Sequence, residues 1–91
     1  MATVIITLKA MPEGVEVDLD KLTKELEEKI SKFIGGTEVK VNVVEVAFGL
    51  KSLEFLFAMD EDQKIDDLEE ELKQVQDVQS IEVTDVRRSI G

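Results

Sequence analysis

Apolar and polar positions along this chain switch between two periods, and the switches mark out six elements. Residues 2–10 alternate, with Val4, Ile6 and Leu8 on one side and Thr3, Ile5, Thr7 and Lys9 on the other, which is the two-residue period of a strand. Met11-Pro12-Glu13-Gly14 closes that strand, because proline has no amide proton for a ladder and glycine permits a turn. Asp18 stands where a helix N-cap belongs, and Leu19, Leu22, Leu26, Ile30 and Phe33 follow at steps of three and four as one apolar stripe. Gly35-Gly36 then stops the helix. Residues 37–46 predict a second strand. In it Val39, Val41 and Val43 alternate, Val44 and Val46 then take over the apolar role, and the shift of one residue predicts a bulge or kink near Val43-Val44.

The third strand, 48–59, meets the second at Phe48-Gly49 and carries the longest apolar run. Leu53, Phe55, Phe57 and Met59 share a face that reads as core, while Phe48, Leu50, Ser52, Glu54, Leu56 and Ala58 share the other. A polar loop at 60–64 leads to a second helix with Ile65, Leu68, Leu72 and Val75 in one stripe. Asp66, Asp67, Glu69, Glu70 and Glu71 gather toward its start, which suits the positive end of the helix dipole. Residues 79–86 form the last strand with Ile81 and Val83 inward, and Arg87-Arg88-Ser89-Ile90-Gly91 follow. The order strand, helix, strand, strand, helix, strand predicts an α+β, ferredoxin-like βαββαβ sandwich: a four-stranded antiparallel sheet with two helices on one face. The other face is open or given to a partner.

Composition narrows what such a domain does. Its 91 residues make one domain, 1–91, with no room for a second. A formal net charge of −10 opposes direct binding to nucleic acid, whose phosphates call for clustered Lys and Arg, and opposes an anionic membrane surface. It suits a protein partner with a basic patch. The N-terminal stretch is too short and too polar for a signal peptide or a spanning helix, so a cytoplasmic location is expected.

Catalytic equipment is missing from the inventory. There is no cysteine and no histidine, hence no thiol chemistry, no cysteine zinc site and no histidine to activate a serine or threonine. The acidic runs at 60–62 and 66–71 present neighbouring helical or loop positions that do not converge, and 60–62 lacks the glycine and distal glutamate of a calcium loop. No phosphate-binding glycine loop is present. The reading is therefore of no catalytic residue, no metal site and no cofactor. The third strand shares a glycine-aromatic pattern with RNA-recognition motifs, but it lacks their basic residue and their run of stacking aromatics.

Two features are left over from core packing: Phe48-Gly49-Leu50-Lys51 at the head of the third strand, and the adjacent Arg87-Arg88. A phenylalanine facing away from the helices calls for a cover, either a partner or a loop at the domain end. Two arginines on an acidic domain meet a phosphate or carboxylate elsewhere, or balance nearby acids.

These residues carry a resemblance. Val46-Ala47-Phe48-Gly49-Leu50-Lys51-Ser52-Leu53 resembles the segment of the translation elongation factor 1-beta exchange domain family in which an aromatic precedes Gly-Ile/Leu-Lys. Ile81-Glu82-Val83-Thr84-Asp85-Val86-Arg87-Arg88 resembles the C-terminus of the archaeal form, and the opening strand into Lys9-Ala10-Met11-Pro12 is also similar, so the whole chain is covered in order. The resemblance implies a guanine nucleotide exchange factor for the GDP- or GTP-bound elongation factor 1-alpha GTPase. It would bind through the end of its sheet and disturb the magnesium and phosphate site. By the same resemblance Phe48 matches the aromatic that enters a pocket on the partner's second domain, Gly49 allows close backbone approach, and Leu50 and Lys51 complete the segment. Eukaryotic members use a lysine near their last residue at the magnesium site. This chain has none there, and Arg87 or Arg88 is the substitute the resemblance leaves. The alternative expectation is a ferredoxin-like small-ligand regulatory domain that dimerises through its open sheet face.

Overall fold

The structure is a computed structural model of the chain, and it describes residues 3–36, 38–46 and 49–88. Six elements follow in the expected order: β1 (Thr3–Pro12), α1 (Leu19–Ile34), β2 (Val39–Glu45), β3 (Lys51–Asp60), α2 (Ile65–Lys73) and β4 (Val78–Arg88). The strands form one sheet in the spatial order β2-β3-β1-β4, every neighbouring pair antiparallel, and the helices pack on one face. This is the ferredoxin-like α+β architecture.

Alternation places the core. Val4, Ile6, Leu8 and Ala10 of β1 lie opposite Met59, Phe57, Phe55 and Leu53 of β3, and all eight are buried. From above they meet Leu22, Leu26, Ile30 and Ile34 of α1 and Leu68 and Leu72 of α2, with Val75, Val78 and Ile81 closing the side. The helical stripe differs from expectation in its last turn: Ile34 is buried and Phe33 only partly so, because the helix runs to Ile34 and a step of four from Ile30 lands there. The Asp18 side chain caps α1 by accepting from the Lys21 amide (3.2 Å). Gly35 takes a left-handed conformation (φ 87°), which lets the Gly36 amide donate to the Ser31 carbonyl at 2.7 Å.

Three strand boundaries are corrected. β1 continues through Pro12, which is tolerated because β3 stops pairing at Ala10, so Pro12 faces only Val78 of β4. β3 starts at Lys51, and β2 and β3 are joined by residues 46–50 rather than meeting at Phe48-Gly49. β4 extends to Arg88, so Arg87 and Arg88 belong to a paired strand.

The bulge expected at Val43-Val44 is absent, since β2 pairs with β3 without a shift from Val39↔Phe57 to Glu45↔Lys51. Val44 simply faces the open side, and on the last turn of an edge strand an apolar side chain need not be core. The irregularities lie instead in β4. There Thr84 is the extra residue between Val83↔Leu8 and Asp85↔Thr7, its hydroxyl donating to the Thr7 carbonyl at 3.3 Å.

Asp18→Ala removes the α1 cap and is expected to lower unfolding stability by about 1 kcal/mol. Gly35→Ala forces a side chain into the left-handed region and is expected to cost a similar ~1 kcal/mol. Urea unfolding followed by circular dichroism checks both, and a loss under about 0.3 kcal/mol in either would contradict the role given to that cap.

Candidate protein interface

The two groups of residues singled out from the sequence lie at opposite ends of the sheet. Lys51 begins β3 beyond the Ala10↔Leu53 pair, whereas Arg88 pairs with Val4, which pairs with Met59 at the other end of β3. Eight strand steps separate Lys51 from Met59, roughly 26 Å at about 3.3 Å each. Lys51 and Arg87-Arg88 therefore do not share one end of the sheet. The reason is topological: β4 runs antiparallel to β1, so its last residues return to the end where β1 began. The molecule measures 42 × 22 × 19 Å.

At the β2–β3 end, Phe48, the central residue of the sequence argument, lies outside the described residues, as does Ala47. Gly49 is described and adopts φ +75°, with nothing within 4 Å of where a Cβ would sit. The glycine is thus required by the turn and leaves its backbone accessible from outside. Leu50 is half-buried and its carbonyl accepts from the Val46 amide at 2.7 Å, which closes the turn. Lys51 is exposed. Ser52, assigned by alternation to the open face, is buried to 1% exposure, and its hydroxyl donates to the Val44 carbonyl at 3.3 Å. That bond ties the two strands just below the turn and satisfies a polar group that burial would otherwise penalise.

At the opposite end, Arg87 and Arg88 point to different faces. Arg87 lies level with Ile5 on the open face, and its Nε donates to Asp85 Oδ2 at 2.8 Å. Arg88 lies level with Val4 on the helix side and reaches the β3–α2 loop, where it donates to Glu61 Oε2 at 2.5 Å. Both arginines are locally paired here. The side chains remain 78% and 72% exposed, however, so each pair is solvent-screened and worth ~0–1 kcal/mol. Either guanidinium can change partners at little cost.

The open face between the two ends holds a shallow depression of about 380 Å³ lined by Ile5, Leu56 and Ala58, with Glu38 and Lys40 at its rim. Sequence reasoning passed over a different feature. Four exposed valines, Val15, Val43, Val44 and Val46, sit in the β1–α1 loop and around the β2–β3 turn. Val43, Val44 and Val46 form an apolar run in the sequence, which alternation alone assigns to strand core or to a bulge. Val15 interrupts a polar loop and offered no periodic signal.

Comparison with known proteins gives the geometry a context. The profile of the EF-1 guanine nucleotide exchange domain matches residues 5–88. The chain is similar to "Elongation factor 1-beta" of Methanothermobacter thermautotrophicus, 41% identical with 97% of this chain and 98% of that protein covered. It is also similar to "Elongation factor 1-beta" of Aeropyrum pernix, at 39% identity with the same two coverages, 97% and 98%. Among solved structures, a de novo designed protein, Foldit4, superposes with a TM-score of 0.63 at 19% identity over 98% of each chain, a likeness of fold alone.

Because the arginine pairs are exposed, Arg87→Ala and Arg88→Ala are each expected to change stability by less than about 0.5 kcal/mol. Gly49→Ala meets no atom but strains the backbone, and is expected to cost about 1 kcal/mol. Thermal unfolding of the three variants tests this, and an arginine variant that loses several times that amount would show a structural role instead.

Proposed function

The chain belongs to the EF-1 guanine nucleotide exchange domain family, and from that premise we propose that its partner is the elongation factor 1-alpha GTPase, gripped at both ends of the exchange domain's sheet. Its role is guanine nucleotide exchange in translation elongation. The single observation that supports the two-ended grip is the placement of Lys51 and of Arg87-Arg88 at opposite ends of one sheet.

In this reading the β2–β3 end anchors. Phe48 fills an apolar pocket of the GTPase, the open backbone at Gly49 lets the surfaces close, and Leu50 and Lys51 border the contact. The other end perturbs. Arg87 or Arg88 leaves its intramolecular carboxylate for the partner's magnesium and phosphate site and competes there for the charges that hold GDP. No covalent bond is made or broken, in keeping with a chain that has no histidine and no cysteine. The work is done by differential affinity: the domain binds the nucleotide-free GTPase more tightly than the loaded one. By linkage, GDP weakens the domain's binding by the same factor that the domain weakens GDP's. Residues 1–91 act as one exchange domain without a cofactor, in the cytoplasm. No helix among the described residues is long and apolar enough to cross a membrane.

The test loads the GTPase with a fluorescent GDP analogue and follows its release into excess unlabelled nucleotide. The chain is expected to accelerate release. Phe48→Ala raises the concentration needed for half-maximal acceleration, and the Arg87→Ala, Arg88→Ala double variant lowers the maximal rate by about tenfold, equivalent to ~1.4 kcal/mol in the barrier. A double variant with an unaltered maximal rate removes the arginines from the perturbing end.

A further inference from the structure

β4 stands at the edge of the sheet, with β1 as its only neighbour. Among the described residues nothing pairs with its outer side, and residues 84–88 are all exposed. An eleven-residue edge offers a row of free amides and carbonyls to another strand. Charges and bulges commonly guard such an edge, and β4 has both: Glu82, Asp85, Arg87 and Arg88, and the extra residue Thr84. Their order, however, is one that a second β4 answers.

The bulge decides which side chains share a face. Glu82 lies level with Lys9 on the open face, and Val83 level with Leu8 on the helix face. After Thr84 the alternation is reversed. Asp85 and Arg87 lie level with Thr7 and Ile5 on the open face, and Val86 level with Ile6 on the helix face. A second β4 can run antiparallel beside the first, about a two-fold axis between Thr84 and Asp85. Glu82 then stands opposite Arg87 of the other copy, and Val83 opposite Val86. In an unbroken strand, an even-numbered and an odd-numbered residue face opposite sides. Here the reversal at Thr84 puts both members of each pair on one face, and symmetry makes each pair twice. Moving each strand by one residue would set Glu82 against Asp85, like charge against like.

We infer that β4 is a self-association edge: two copies of the chain join it antiparallel about Thr84-Asp85, pairing Glu82 with Arg87 and Val83 with Val86 across the junction. Val86 is 54% exposed although it lies on the helix face, while Val83 packs partly against the core. Set beside Val83 of the other copy, Val86 extends that copy's core. The Arg87 guanidinium, on a side chain 78% exposed, is free to reach across the junction from Asp85 on its own strand. Two chains of net charge −10 repel at long range, but about 0.15 M salt screens charges more than ~8 Å apart and leaves the facing pairs in contact. Under the proposed function such a pair withholds Arg87 from the GTPase, and no part of the following test depends on that.

Sedimentation equilibrium of the full chain in about 0.15 M salt, from roughly 10 µM to 1 mM, reads the association. The average mass is expected to rise with concentration from 10.2 kDa toward twice that value. Glu82→Arg turns two attractive cross-strand pairs into repulsive ones and is expected to weaken association at least about tenfold. Val86→Lys, which places a charge in the apolar pair, is expected to do the same. The double variant Glu82→Arg, Arg87→Glu exchanges the two signs and is expected to associate as the wild-type chain does, a rescue that a merely structural role for Glu82 does not produce. All three side chains are exposed, so circular dichroism is expected to show the native fold in every variant. A chain that stays at 10.2 kDa throughout the range overturns the inference and leaves the edge to a strand of another protein. A dimer that Glu82→Arg and Val86→Lys leave intact is held by another surface and overturns it equally, as does a double variant that fails to restore association.

Discussion

The two-residue period of the paired central strands, β1 and β3, is the constraint on which the rest depends. Eight inward side chains, from Val4 to Ala10 and from Leu53 to Met59, are committed to one face by alternation alone. A one-residue slip in either strand would turn that whole set to solvent, so the register is fixed by burial. Once it is fixed, the helices have only one place to go, and their stripes of Leu22, Leu26, Ile30 and Ile34 and of Leu68 and Leu72 follow onto the same face. The opposite face is left mixed, with Ile5, Leu56 and Ala58 among charged and hydroxyl side chains.

The helical cover is shorter than the sheet it covers. Nine residues of α2 span about 14 Å, while the ten- and eleven-residue strands reach roughly 33–36 Å. The strands outrun that helix, yet Val4, Ala10, Leu53 and Met59 near their ends are buried all the same. Val86 on β4 is 54% exposed although it lies level with the buried Ile6, and the exposed valines near the β2–β3 turn stand on or beside an edge strand with one neighbour only.

Electrostatics separates the two ends of the sheet in character. One carries aliphatic side chains beside the paired Glu45 and Lys51, and the other presents two guanidinium groups held by carboxylates at 2.8 and 2.5 Å. On a chain of net charge −10 acids outnumber bases, and the fold supplies the two arginines with Asp85 within β4 and Glu61 from the β3–α2 loop. Because those pairs are exposed, they place the arginines without locking them. Under the proposed function, that is the property required of a group that trades one anion for another. An exchange factor needs no nucleophile, base or metal of its own, only surfaces whose affinity differs between two states of its partner.

The sequence by itself determined the elements and their inward faces. Leu53, Phe55, Phe57 and Met59 could be read as core because a strand's period is a local property, and Asp18 and Gly35 could be read as caps because helix termini need particular side chains and backbone angles wherever they occur. The family segment 46–53 was equally visible, as a string. What only the tertiary structure decided was distance and cover. Nothing local places Arg88 at the end of the sheet remote from Lys51, since that depends on the antiparallel return of β4 along β1. Nothing local pairs Arg88 with Glu61 across 27 residues, brings Val15 beside Gly49, or buries Ser52 on a face that alternation assigned to solvent. Each of these is set by which strands are neighbours and how far the helices extend over them, and neighbours in a sheet are chosen by the whole chain at once.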